Sequence, residues 1–122
     1  MDLQTYIKVY DNCFPVEAIG SILKWVNDKK FNLGGIGPDN TIDKKIRDVE
    51  IFPLLDCTDN SQTKIHWYNF LAYIVWQTAA RYKHELNLDL ELVYISDISI
   101  LKYNSGGHYE KHVDHMPKNP RT

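Results

Sequence analysis

The run Leu-Val-Tyr-Ile-Ser-Asp-Ile-Ser-Ile-Leu-Lys-Tyr from Leu92 to Tyr103 constrains this chain more than any other feature. It is dense in β-branched and aromatic residues, which fit a pleated, half-buried surface better than a helix. From Asp97 onward it alternates in part, with Ile98 and Ile100 on one face and Leu101 and Tyr103 on the other. Asn104-Ser105-Gly106-Gly107 then supplies turn chemistry that ends the strand. A sheet in the C-terminal half therefore has to be reconciled with a helical pattern just before it. The helix is expected over Gln62 to Leu86, with Asp59, Asn60 and Ser61 as candidate N-caps. Ile65, Phe70, Leu71, Ile74, Val75 and Leu86 give it an apolar side, and Trp67, Tyr68, Tyr73 and Trp76 add aromatic bulk. This pattern reads as a core helix packed on a sheet, so the fold class is α+β.

Upstream, the alternation in Tyr6 to Tyr10 predicts a short strand. Pro15 can open a helix at its first turn, and Val16, Ile19, Ile22, Leu23 and Val26 recur at helical spacing through Asn27. Four Gly/Pro residues between Asn32 and Asn40 predict a loop, and Ile46 to Phe52 reads as a strand stopped by Pro53. At 122 residues a single domain over 1–122 is expected. The net charge of −2 gives no bulk attraction to nucleic acid or to an anionic membrane, so neither is expected as a partner. Lys29-Lys30 and Lys44-Lys45 read as solvated loop pairs. The apolar runs are too short to span a bilayer, and Asp2 and Asp11 interrupt the position of a signal peptide. With two cysteines, Cys13 and Cys57, a disulfide scaffold is not expected, and a cytoplasmic protein with free thiols is.

Of the five histidines, His66 and His84 fall on the long helix and read as structural or solvent-facing. His108, His112 and His115 crowd into eight residues. Three readings of that crowd compete. On a strand, His112 and Asp114 at i and i+2 share a face with backbones about 7 Å apart, so imidazole and carboxylate can converge on one ion. A second His from elsewhere would complete a 2-His-1-carboxylate face with open positions. On a helix, His108 and His112 at i and i+4 could hold zinc, but Tyr109 stands where a metalloprotease helix has Glu, and Gly106-Gly107 disfavours a helix there. The third reading is a set of surface histidines with no ion.

The whole passage Leu101-Lys102-Tyr103-Asn104-Ser105-Gly106-Gly107-His108-Tyr109-Glu110-Lys111-His112-Val113-Asp114 resembles the signature of the prolyl 4-hydroxylase-like Fe(II)/2-oxoglutarate oxygenases. That signature is a strand ending in Tyr, a Gly-containing turn, a second Tyr, then His-x-Asp. Ile46-Arg47-Asp48-Val49 is similar to the strand that the same family places before its long helix. The resemblance implies a double-stranded β-helix (jelly-roll) oxygenase core, incomplete, with N-terminal helices packed on the major sheet. It implies that His112 and Asp114 are iron ligands and that Tyr103 hydrogen-bonds 2-oxoglutarate. Tyr109 would line the same pocket, and Arg47 would face the substrate groove. The implied activity is hydroxylation of a C–H bond with O2, coupled to decarboxylation of 2-oxoglutarate to succinate. Fe(II) and 2-oxoglutarate are the implied cofactors, with ascorbate as reductant. The substrate would be a prolyl or other amino-acid residue of a peptide or protein, or a small molecule.

In that family the distal iron-binding His and the basic partner of the 2-oxoglutarate carboxylate lie well downstream of His-x-Asp. The chain is therefore expected to hold the N-terminal portion of such a domain and to turn over little by itself. His115 points away from the His112 and Asp114 face, and His108 would sit about 13 Å from His112 on a continuous strand. Two other classes remain open: a non-catalytic, truncated jelly-roll interaction module, and a zinc-dependent hydrolase.

Overall fold

The computed structural model describes residues 2–36, 39–55 and 61–112. The chain forms two compact units, each assembled from two separated stretches: Met1–Lys29 with Pro53–Ile100, and Lys30–Phe52 with Leu101–Thr122. Among the described residues no helix is long and apolar enough to cross a membrane.

The first unit is built on two helices. α1 spans Val16–Val26 and begins directly after Pro15, where the proline's fixed φ suits helix entry. α2 spans Gln62–Glu85, and the Ser61 side chain caps it by accepting from the Lys64 N–H. Both helices lie where the spacing predicts them. They meet through aromatic rings. Trp25 of α1 stacks on Trp67 of α2 with centroids 6.3 Å apart. Phe70 meets Trp67 edge-on at 5.8 Å and Phe14 edge-on at 5.7 Å. Trp67 and Leu54 are buried here.

The N-terminal stretch is fastened to the far end of α2 by polar contacts. Tyr82 donates its hydroxyl to the Tyr6 carbonyl at 2.8 Å, and Tyr10 donates to Glu85 at 2.9 Å. The strand expected over Tyr6 to Tyr10 is absent: Leu3–Tyr6 is a 3-10 turn, Ile7 is extended, and residues 7–10 join no ladder. Alternation sets the extended backbone, but a strand also needs a partner edge. Ile7 and Val9 remain largely exposed.

The run Leu92 to Tyr103 is likewise only partly a strand. Its ladder is confined to β4, Ser99–Lys102. Before it, Tyr68 donates its hydroxyl to the Ile95 carbonyl at 2.7 Å. The Asp97 carboxylate accepts from the Leu55 and Ile98 backbone N–H groups. A side chain that takes up backbone donors in this way competes with sheet pairing.

The second unit holds short antiparallel strands. β1 is Asn32–Leu33, β2 Arg47–Asp48, β3 Glu50–Pro53 and β5 His108–Tyr109. One sheet has the order β1-β3-β4 and the other pairs β2 with β5. Both are small and open. The single strand expected over Ile46 to Phe52 is thus two strands with different partners, divided at Val49. Val49 is 2% exposed and its carbonyl accepts from the Gly34 N–H at 2.9 Å. Phe52 is also buried, against Phe31 at 5.4 Å. The expected loop over Asn32 to Asn40 contains β1 and closes with a bridge between Ile36 and Thr41.

Candidate functional site

The β2–β5 ladder builds the site. Arg47 pairs with Tyr109 and Asp48 with His108. The Glu110 N–H extends the ladder by donating to the Ile46 carbonyl at 2.7 Å. The turn before β5 fixes this register. Gly106 has φ +85°, a conformation that costs an L side chain strain. A Cβ on Gly107 would lie 2.9 Å from both the Asn104 and Asp48 carbonyl oxygens, so only glycine lets β5 come this close to β2. The Gly107 N–H closes the turn on the Asn104 carbonyl at 2.7 Å, and the Asn104 amide donates to Glu50 at 3.0 Å.

Three of the residues singled out in the sequence come together on this frame. The Arg47 guanidinium lies over the Tyr109 ring, 4.4 Å from its centroid. Tyr109 in turn stacks on the His112 imidazole, with centroids 3.6 Å apart and planes 11° from parallel. Arg47 also donates from Nη1 to the Gly35 carbonyl at 2.8 Å. Its Nε is buried without a hydrogen-bond partner among the described residues.

The His112 Nδ1 lies 2.8 Å from the Glu110 carbonyl oxygen. A carbonyl can only accept, so Nδ1 carries a proton.

His108 is used differently. Its Nε2 lies 2.9 Å from the Lys45 carbonyl and its Nδ1 3.3 Å from the Gly106 carbonyl. Both ring nitrogens face acceptors, which favours the doubly protonated ring. The Lys45 carbonyl, then the Gly106 carbonyl, hold its pKa above the ordinary histidine value, with the Glu110 and Asp48 charges adding and burial opposing. Glu110 lies 3.5 Å from Nε2. Histidine 108 therefore fastens β5 to the Lys45 backbone. The i, i+4 zinc arrangement with His112 has no helix to stand on, because His108–Tyr109 is a strand.

Tyr103 lies one residue beyond β4 and is 48% exposed, outside the Arg47–Tyr109–His112 stack. Asp114, Val113 and His115 lie outside the described residues. Among the described residues no three His, Cys, Asp or Glu side chains form a group that could hold a metal ion. On α2, His66 packs edge-on against Trp67 at 5.7 Å, and His84 sits exposed in the last turn. The seat of Arg47 on Gly35 was not legible in the sequence. The glycine-rich character of 34–37 was its only trace, and it signals a turn as readily as a binding carbonyl. No family model matches this chain, and no curated protein or solved structure shows significant similarity to it.

Proposed function

We propose that the chain carries the first two iron ligands of an Fe(II)/2-oxoglutarate-dependent oxygenase resembling the prolyl 4-hydroxylases. The observation that supports this most is the state of His112. Metal-ligating histidines characteristically donate their other ring N–H to a carbonyl or carboxylate, which fixes tautomer and ring orientation. His112 does so through Nδ1 to the Glu110 carbonyl. In that arrangement the ion would be taken at Nε2, and Asp114, two residues on, would bring the carboxylate of the motif. Neutral imidazole with carboxylate is a donor set that suits Fe(II) and leaves positions open.

With Fe(II) and O2 bound, 2-oxoglutarate supplies the oxidising chemistry by decarboxylating to succinate, and ascorbate keeps the iron reduced. The chain's own residues bind and orient. The face of Tyr109 against His112 would hold the imidazole plane for an ion. Tyr103 donates its hydroxyl to 2-oxoglutarate. The substrate is a prolyl or other amino-acid residue, hydroxylated at a C–H bond.

Cobalt(II), a spectroscopic substitute for Fe(II), tests the assignment under anaerobic conditions. One equivalent is expected to give d–d absorption that is lost in His112→Ala and in Asp114→Ala. Addition of 2-oxoglutarate is expected to change those bands more than succinate does. Bands that persist undiminished in both variants, or that ignore 2-oxoglutarate, would contradict the oxygenase reading. Zinc binding that excludes cobalt and ignores 2-oxoglutarate would favour a hydrolase instead.

A further inference from the structure

We infer that Arg47 is a positioning residue for His112, acting through Tyr109. The sequence resemblance implies that Arg47 faces a substrate groove; in the structure its guanidinium makes two contacts within its own unit. One edge donates to the Gly35 carbonyl at 2.8 Å, while its face covers Tyr109 at 4.4 Å. The seat is tight: a Cβ on Gly34 would fall 2.9 Å from Arg47 Nε. Two adjacent glycines thus give the guanidinium room and an acceptor. A planar fork can stack and donate in its own plane at once, which an ammonium cannot. The backbone also holds Tyr109 beside Arg47, because the two are direct cross-strand partners in the β2–β5 ladder.

His112 lies past the end of the ladder. β5 ends at Tyr109, and the last ladder bond is made by Glu110, so the chain reaches His112 beyond the sheet. The near-parallel stack at 3.6 Å fixes the imidazole plane, and the Glu110 carbonyl fixes its rotation within that plane. Gly35, Arg47, Tyr109 and His112 form one column, anchored at the Gly35 backbone and ending at the His112 ring, the proposed ligand of the ion. The inference rests on the oxygenase reading only for the nature of that ion. The ordering of the ring by Arg47 holds with no metal present.

Proton and nitrogen NMR of the histidine rings in the 122-residue chain tests it. Stacking on Tyr109 is expected to shift the His112 ring protons upfield. Arg47→Ala is expected to move them back toward the free-histidine position, with Arg47→Lys intermediate. The His108 ring, bonded to Lys45 and Gly106 in the same unit, is expected to stay in place and so report an intact ladder. Unmoved His112 resonances in Arg47→Ala would overturn the inference. Should Arg47→Ala lose the His108 signature as well, Tyr109→Phe and Tyr109→Leu decide. The first keeps the stacking ring and is expected to retain the His112 shift, whereas the second is expected to lose it. Equal loss in both, or retention in both, would overturn the column.

Cobalt affinity supplies the second readout. It is expected to fall about 10- to 100-fold in Arg47→Ala, the usual effect of removing support behind a ligand, and to recover in part in Arg47→Lys. Undiminished affinity in Arg47→Ala would overturn the positioning role. A wild-type chain that binds no cobalt, yet whose His112 ring is released by Arg47→Ala, would support the column and sink the oxygenase reading.

Discussion

His108 and His112 are four residues apart in the sequence and have opposite employment. His108 turns both nitrogens to backbone carbonyls of Lys45 and Gly106, and the His112 Nδ1 faces the Glu110 carbonyl. The distinction has a pH consequence. Because the folded-state pKa of His108 is raised, its contribution to stability is fully present below the unfolded value of about 6.5. It is lost as pH rises through the folded value. Between about pH 5 and about pH 8, the thermal midpoint of the wild type is expected to fall relative to that of His108→Gln. Parallel profiles for the two proteins would show that the ring does no such fastening. The side chain is 40% exposed, so the expected effect is modest.

Gly107 offers a sharper residue-scale test. Gly107→Ala places a methyl 2.9 Å from two carbonyl oxygens belonging to the backbone. Neither can swing aside as a side chain would. A loss of about 1–3 kcal/mol is expected in denaturant unfolding, typical of overpacking a tight site. A neutral substitution would mean that β5 does not approach β2 as described. The chemistry of the residues was legible in the sequence, since Tyr109, His112 and Arg47 all stood out there. Their mutual geometry was not. The register that pairs Arg47 with Tyr109 depends on a turn whose tightness is set by Asp48, more than fifty residues earlier.

Among elements, the helices were the most legible. α1 and α2 carry their own period, an entry proline or serine cap, and internal hydrogen bonds that need no partner. Ser61→Ala, which removes the acceptor for the Lys64 N–H, is expected to cost about 1 kcal/mol of stability. Trp67→Ala removes a ring that touches Trp25, Phe70 and His66 together. It is expected to cost about 3–5 kcal/mol in chemical denaturation. A cost below 1 kcal/mol would contradict its place at the centre of the helical unit.

Strands were legible only as extended chain. Residues 92–98 have the composition of a strand but no ladder, and Asp97 occupies two backbone donors nearby. Ile46 to Phe52 reads as one strand, yet the burial of Val49 and its bond from Gly34 divide it. A period of two reports which way side chains point. It does not report which edge lies alongside.

At the scale of the whole molecule, the sequence implies a jelly roll, while the described residues form two small open antiparallel sheets and a two-helix unit. The oxygenase proposal therefore rests on a short passage and on the geometry of His112, not on a closed barrel. Its most direct test is where a paramagnetic ion sits. Substoichiometric cobalt(II), added to the chain under anaerobic conditions and followed by NMR, is expected to broaden His112 and Asp114 first. Tyr109 should follow, and His66, His84 and His108 should stay sharp. Broadening of His108 or the α2 histidines ahead of His112, or of no histidine at all, would contradict the account.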